Sequence, residues 1–247
     1  MDVIGVIPAR YSSTRFTAKV LAPIAGKPMI QHVWERAKQS KILDDLIIAC
    51  DNELVEKAAR EFGAKVVMTS KQHTCGSDRI SEVVNPLDVK IVVNIQGDEP
   101  LVNPMMIDNV ARALLDDSSI NMATIKKRIT DPALINDPNV VKVVTDKNGF
   151  ALYFSRAAIP YLAAGSDVSP VYYKHIGLYA YTKDFLFTYR NIPVSSLERT
   201  EKLEQLRVLE EGFRIKVIET KFDTFGVDTT EDLERLKIYM EHGNNDT

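Results

Sequence analysis

Short apolar runs alternate with amphipathic stretches through the first half of the chain, and the two periods separate strands from helices. Val3–Ile7 is apolar throughout, which predicts a strand buried on both faces of a parallel sheet. Pro28–Gln39 carries Ile30, Val33, Trp34 and Ala37 at helical spacing, with Pro28 expected in the first turn. Leu46–Ala49, Lys65–Met68 and Lys90–Ile95 read as further strands. Between and after them, Glu53–Phe62 (closed by Gly63 as a C-terminal cap), Asp78–Val84 and Pro104–Leu115 read as helices. This rhythm predicts an α/β protein of three α/β/α layers, its sheet mixed but mostly parallel.

The second half is less regular. Asn121–Lys127, Val140–Thr145, Ala151–Phe154, Tyr173–Tyr181 and Arg214–Ile218 read as strands. Along Tyr173–Tyr181 the period of two sets Tyr173, His175, Gly177, Tyr179 and Tyr181 on one face and Lys174, Ile176, Leu178 and Ala180 on the other. Leu197–Glu210 predicts one amphipathic helix with Leu203, Leu206 and Leu209 inward. A last helix is expected over Thr229–Glu241, capped by Asp228 or Thr229, and the polar residues from Gly243 predict a frayed end. Without repeats or a linker, residues 1–247 read as one domain with a smaller lobe near 150–195.

Composition narrows the classes. A hydrophobic content of 45% with 26% charged residues is that of a soluble globular protein. A net charge of −3 argues against non-specific nucleic-acid binding, so any basic patch is local. Cys50 and Cys75 are the only cysteines, which excludes a disulfide framework and a cysteine-rich zinc site and suggests reduced thiols. No apolar run approaches the ~20 residues of a membrane span. The chain starts directly on a strand, so no leader is expected and the cytoplasm is the expected location. The G-x-G-x-x-G, G-x-x-x-x-G-K-[ST] and H-E-x-x-H patterns are all missing, so a nucleotide site here needs another design.

One candidate site follows the first strand. Arg10, Arg15 and Lys19 fall within ten positions, with no carboxylate between them, where ligands bind in open α/β sheets. At ~4 Å a unit-charge pair is worth about 4 kcal/mol at an effective dielectric near 20, so three cations there suit a nucleoside triphosphate; otherwise they form a solvated basic loop. Asp98 ends a buried strand after Gly97, which permits close backbone approach, and is a candidate metal ligand or a plain strand-end turn. Asp228 is a second candidate, or a helix cap boxed with Glu231. Cys75–Arg79 reads as a glycine-containing turn opening a helix. The polar rings of His175 and Tyr179 suit a polyhydroxylated ligand, or simply fill the core. Glu204 has a surface pairing with Arg207 as its alternative.

An ordered set of motifs adds a resemblance over residues 3 to about 237. Ile7-Pro8-Ala9-Arg10-Tyr11-Ser12-Ser13-Thr14-Arg15, Lys19 and Gly26-Lys27-Pro28-Met29-Ile30 are similar to the N-terminal signature of the sugar cytidylyltransferases. With them stand Cys75–Arg79, Asn94-Ile95-Gln96-Gly97-Asp98-Glu99-Pro100, Ala151–Arg156, Lys174–Tyr179, Leu203–Arg207 and Gly226-Val227-Asp228-Thr229. Together they most resemble the 3-deoxy-D-manno-octulosonate (Kdo) cytidylyltransferase family. The resemblance implies a Rossmann-like nucleotidyltransferase fold and the reaction of CTP with Kdo, an eight-carbon acidic sugar, to CMP-Kdo and diphosphate, for lipopolysaccharide biosynthesis. It implies Mg2+ on Asp98 and Asp228, with Lys19 and Arg15 joining them in catalysis. Pro8, Ala9, Arg10, Ser13, Arg15, Lys19, Cys75, Gly76, Ser77 and Arg79 would bind the nucleotide, Arg79 by supporting its loop or touching the base. Gln96, Arg156, His175, Tyr179, Glu204 and Gln205 would bind the sugar, Arg156 facing its carboxylate. A homodimer through the smaller lobe is also implied.

The 8-amino analogue of Kdo and sialic acid remain alternative substrates, and a non-catalytic nucleotide-sugar-binding protein or a glycosyltransferase alternative classes. Two departures stand out. Cys75 replaces the family's serine. Phe16-Thr17-Ala18 replaces its Leu-Pro-Gly, and because alanine takes a positive φ only at a cost, a differently closed loop is expected.

Overall fold

The computed structural model describes residues 1–12, 16–73 and 75–242. The expected Ser13 and Arg15 contacts and the tail from Gly243 lie outside the described residues. Strand β1 (Val3–Ala9) sends Val3 and Ile7 into the core on one face of the sheet and Ile4 and Val6 into the core on the other, which is why its sequence is apolar without alternation. A 3-10 turn at Lys19–Leu21 leads into a small hairpin of β2 (Pro23–Ile24) and β3 (Lys27–Pro28). Helix α1 (Met29–Ala37) follows; Pro28 is its extended N-cap (φ −63°, ψ 147°) and not part of the first turn, because it is held in the hairpin.

The βα units continue with β4 (Asp45–Cys50), α2 (Glu53–Glu61), β5 (Lys65–Met68), α3 (Gly76–Val84), β6 (Ile91–Asn94), α4 (Pro104–Asp116) and β7 (Met122–Arg128). Asn52 and Asn103 cap α2 and α4 through their side chains, and Gly63, at φ 83°, ends α2 as expected. An arm of β8 (Lys142–Thr145) and β9 (Ala151–Ser155) precedes β10 (Tyr173–Thr182). The remaining elements are α5 (Lys183–Asn191), α6 (Ser196–Glu201), α7 (Leu206–Glu210), β11 (Lys216–Thr220) and α8 (Thr230–His242).

Among the described residues the main sheet runs β11-β7-β10-β6-β1-β4-β5, with β8 and β9 attached beside β10. All strands of that path are parallel except β10, which is antiparallel to both β6 and β7. Only the last four residues of β10 pair with β6, so its first half runs on past the carboxyl end of β6. Against β7 the register jumps from Ile176–Ile125 to Tyr179–Thr124. The bulge holds Gly177 and Leu178, an even number, so the face carrying His175, Tyr179 and Tyr181 is preserved.

Three features differ from the sequence expectations. Helix α5 was not foreseen; Thr182 starts it by accepting from the Phe185 N–H. The single helix expected over Leu197–Glu210 is broken into α6 and α7 by Lys202 at φ 56°, while Leu203 and Leu206 still reach the core. Of the 150–195 stretch expected to form a smaller lobe, β10 lies inside the main sheet, α5 packs on α3 and Phe154 of β9 is buried in the core; the part that stands off is the largely exposed segment 157–171.

Candidate active site

A cleft opens at the carboxyl ends of β1 and β6, where an open α/β sheet binds its ligands. It consists of two cavities that share Arg10, Gly76 and Gln96 in their walls. The first, about 390 Å³, is lined by Pro8, Ser12, Lys19, Gly97, Asp98 and Asp228 among others. The second, about 310 Å³, holds Cys75, Ser77, His175, Tyr179, Glu204 and Gln205.

The acidic centre depends on close backbone approach. Gly97 turns the chain so tightly against β1 that a Cβ there would lie 2.9 Å from the Pro8 carbonyl oxygen. The turn delivers Asp98, and the Asp98 carbonyl accepts from the Val227 N–H at 3.0 Å, which brings Asp228 alongside. Both carboxylates then reach one ammonium: Lys19 Nζ donates to Asp98 Oδ2 at 2.7 Å and to Asp228 Oδ1 at 3.1 Å. The cap alternative for Asp228 is not realised. Thr229 and Asp232 form the capping box instead, Thr229 Oγ1 accepting from the Asp232 N–H and Asp232 Oδ2 from the Thr229 N–H, so the Asp228 carboxylate is left to face the cleft. Beside it, burial pushes the Glu99 carboxyl up to about 8, and the Asp98 charge adds to the effect.

The loop before Lys19 closes despite its altered sequence. Ala18 adopts φ 58° and ψ 24°, the left-handed conformation it was expected to avoid. Its N–H donates to Tyr11 O and its carbonyl accepts from Leu21 N, both at 2.8 Å, and these bonds hold the turn. The two carboxylates meet at one cation-sized point and offer only hard oxygens. That fits magnesium, which takes one or two carboxylates and completes its shell with phosphates and water.

In the second cavity, α3 begins at Gly76, and the Cys75 and Ser77 side chains share a hydrogen bond of 3.0 Å at its mouth. Burial pushes the Cys75 thiol up, so it is a neutral wall group. Arg79 does not contact this space. It is fully buried and donates to Asp51 Oδ2 at 2.8 Å and to the Thr69 hydroxyl, while Asp51 also accepts the Tyr11 N–H at 3.0 Å. It therefore braces the loop, and the base-touching alternative is corrected. Ala9 is buried at the end of β1 and lines neither cavity. Arg156 lies outside both cavities, with its guanidinium donating to the Glu201 and Pro138 carbonyls at 2.7 and 2.8 Å.

One face of β10 forms the far wall, with His175 on the half that overruns β6 and Tyr179 and Tyr181 on the half paired with it. His175, Tyr179 and Tyr181 make a ring ladder (centroids 5.5 and 5.9 Å apart), and Tyr189 of α5 stacks on Tyr181 at 5.9 Å. Gln96 donates to the Gly177 carbonyl at 3.2 Å. Glu204 accepts from the Tyr189 hydroxyl; burial pushes its carboxyl up, and the Arg207 charge opposes this. Arg207 itself is bound to Glu198, so the Glu204–Arg207 surface pair is not formed. The left-handed Lys202 that breaks the helix also turns Glu204 and Gln205 into the cavity wall, and Gln205 Nε2 is buried there without a partner. Sequence reasoning passed over Asn94, Tyr189 and Lys202 as wall residues. Only Tyr189 left a trace, in the Thr182 cap signal followed by Phe185, Leu186 and Tyr189 at helical spacing.

A mostly parallel sheet with two carboxylates converging beyond its strand ends, a cationic turn and a polar second cavity defines a nucleotidyltransferase site. Residues 4–218 match the cytidylyltransferase family model. The chain is 55% identical over 234 residues to a 3-deoxy-manno-octulosonate cytidylyltransferase of Solibacter usitatus, covering 95% of this chain and 92% of the relative. It is 49% identical over 245 residues to the enzyme of that name from Geobacter metallireducens, covering 96% of each. A solved CMP:2-keto-3-deoxy-manno-octonic acid synthetase complexed with CTP superposes with a TM-score of 0.92 at 40% identity, over 98% of this chain and 100% of the other. A 4-diphosphocytidyl-2C-methyl-D-erythritol synthase from Anaerococcus prevotii, 13% identical with a TM-score of 0.63, shares the fold alone; the alignment covers 98% of this chain and 99% of that one. The chain belongs to the 3-deoxy-manno-octulosonate cytidylyltransferase family.

Proposed function

We propose that this protein activates Kdo with CTP, giving CMP-Kdo and diphosphate for lipopolysaccharide biosynthesis. The observation that carries the reading is the convergence of Asp98 and Asp228 on the Lys19 ammonium, in a cleft whose other end is a ladder of polar rings. The triphosphate lies in the first cavity over Lys19 and Arg10, and the cytosine lies against Gly76, Cys75 and Ser77. The sugar lies along Gln96, His175, Tyr179, Glu204 and Gln205, with the unpartnered Gln205 amide ready to donate to it.

The anomeric hydroxyl of the sugar attacks the α-phosphorus in line and diphosphate leaves. Asp98 and Asp228 would hold Mg2+, which supplies positive charge to the reacting oxygens when bound. Lys19, released from the carboxylates, and Arg10 stabilise the charge on the phosphates. Binding both substrates in one cleft supplies much of the remaining acceleration by proximity. Among the described residues no helix is long and apolar enough to cross a membrane, and a cytoplasmic enzyme fits the substrates. A homodimer formed through the β8–β9 side belongs to the same proposal, supported by the exposed Leu152, Tyr161 and Val168 there; sedimentation of a Y161E variant tests it.

The decisive experiment measures diphosphate release with each of the four nucleoside triphosphates against Kdo, its 8-amino analogue and sialic acid, with and without magnesium. Release with CTP and Kdo alone is expected. Release with another sugar acid instead, or none with any pair, overturns the substrate assignment.

A further inference from the structure

Thr124 lies on β7 opposite the β10 bulge, fully buried, and its side chain touches no cavity. Its hydroxyl meets His175 Nε2 at 2.9 Å, the Ile176 carbonyl at 3.1 Å and the Leu178 carbonyl at 2.9 Å, and the Tyr179 hydroxyl, which can donate to its second lone pair, also bonds to it. A threonine hydroxyl has one proton and two lone pairs, and a backbone carbonyl can only accept. Were the proton given to His175, two carbonyl oxygens would face the hydroxyl's lone pairs at contact distance with no hydrogen between them. The proton therefore belongs to the carbonyls, and the hydroxyl oxygen accepts from His175. That fixes the ring as the tautomer protonated on Nε2, leaving Nδ1 as a lone-pair acceptor.

The ring has no other hydrogen bond among the described residues, and its plane is held between Phe154 (4.9 Å, edge-on) and Tyr179 (5.5 Å). It lines the second cavity. Burial also holds the imidazole neutral, its pKa lowered to about 3. The bulge in β10 thus has a use: it turns two carbonyls toward one hydroxyl, which then dictates the state of the neighbouring ring.

We infer that Thr124 is a positioning residue which sets the His175 tautomer, so that His175 accepts a hydrogen bond from a hydroxyl of the substrate and does not pair with its carboxylate. This rests on the reading of the second cavity as the sugar site, but its first test does not. Two-bond 1H–15N correlation spectra of the ligand-free, 15N-histidine-labelled protein, with the ring assigned by its loss in H175Q, should show His175 protonated on Nε2 only. T124S should keep that pattern and T124V should lose it, giving a mixture of tautomers.

In steady-state assays T124V should raise KM for the sugar acid about tenfold, the worth of one neutral hydrogen bond. KM for CTP should stay within twofold, and T124S should recover the wild-type value. A wild-type ring protonated on Nδ1 overturns the inference, as does a folded T124V with an unchanged tautomer or an unchanged sugar KM. If the wild-type protein shows the Nε2 tautomer but forms no product from any sugar acid, the substrate reading fails and the tautomer assignment stands.

Discussion

Replacing Gly97 with alanine probes how the meeting of β1 and β6 holds the acidic site in place. The added methyl would lie 2.9 Å from the Pro8 carbonyl oxygen and 3.3 Å from Ile30 Cδ1. The Ile30 methyl can turn aside. The Pro8 oxygen cannot, because β1 is paired residue for residue with β4 along its other edge, which holds the strand in place. The Gly97 backbone is outside the left-handed region, so the cost is steric and not torsional. Forcing a packed strand end apart costs about 1–3 kcal/mol, and in a chain of this size each kcal/mol lowers Tm by about 2–4 °C. Asp98 moves with the turn, and misplacing a reacting group by about 1 Å can cost ~10²-fold in rate. G97A should therefore melt several degrees lower and lose about tenfold or more in kcat/KM for diphosphate release. G76A is the control, because its methyl meets Pro8 Cγ at an ordinary 3.5 Å. It should melt at or above the wild-type temperature, since alanine favours a helix by up to about 1 kcal/mol over glycine, yet raise KM for CTP by crowding the shared wall. A G97A protein with wild-type melting and turnover would refute this reasoning.

Three further outcomes follow from the same geometry. D98N should reduce kcat by at least ~10²-fold even at saturating magnesium, as losing a principal electrostatic group does; near-normal turnover in that variant removes Asp98 from the metal assignment. A18G should stabilise the protein by about 0.5–1 kcal/mol in urea titrations, relief of the left-handed strain exceeding the added chain entropy; a less stable A18G contradicts the strained turn. His175 has an ordinary value of 6.5 and is lowered to about 3 in the fold. Its contribution is therefore whole above about pH 6.5 and drains as the pH falls toward 3, because the unfolded ring binds the proton first. Between pH 6.5 and 5 that amounts to about 1.6 kcal/mol, so H175Q should lose less stability than wild type over that interval; equal losses exclude the neutral ring.

The parallel half of the sheet was legible in the sequence because a strand buried on both faces has no polar positions to confuse its period. Helix α5 was not, since Phe185, Phe187 and Tyr189 alternate as a strand would, and this competes with the helical spacing of Phe185, Leu186 and Tyr189 behind the Thr182 cap. The break at Lys202 was hidden for a related reason: Leu203 and Leu206 stay on the apolar period through the turn, so the sequence pattern runs on where the backbone does not. At the site, the glycine and aspartate of the Gly97–Asp98 turn announced themselves, whereas the direction of a guanidinium did not. Arg79 and Arg156 each turn to partners far away in the chain, Asp51 for one and the Pro138 and Glu201 carbonyls for the other. Ala18 shows the opposite failure: its intrinsic preference was read properly and then overridden by two backbone bonds.

The overrun of β10 has a consequence for how this protein can diversify. The far end of the cleft is a strand seen from the side, with rungs about 7 Å apart, and the rung left bare at Gly177 is covered by Gln96, whose Cγ sits 3.9 Å from where a Cβ would be. Each rung addresses one stretch of a bound molecule, so a changed substituent can be answered by a single exchange while the strand behind stays in register. Preference for one acid over another can thus drift along the ladder a position at a time, and the machinery at the opposite end never has to notice.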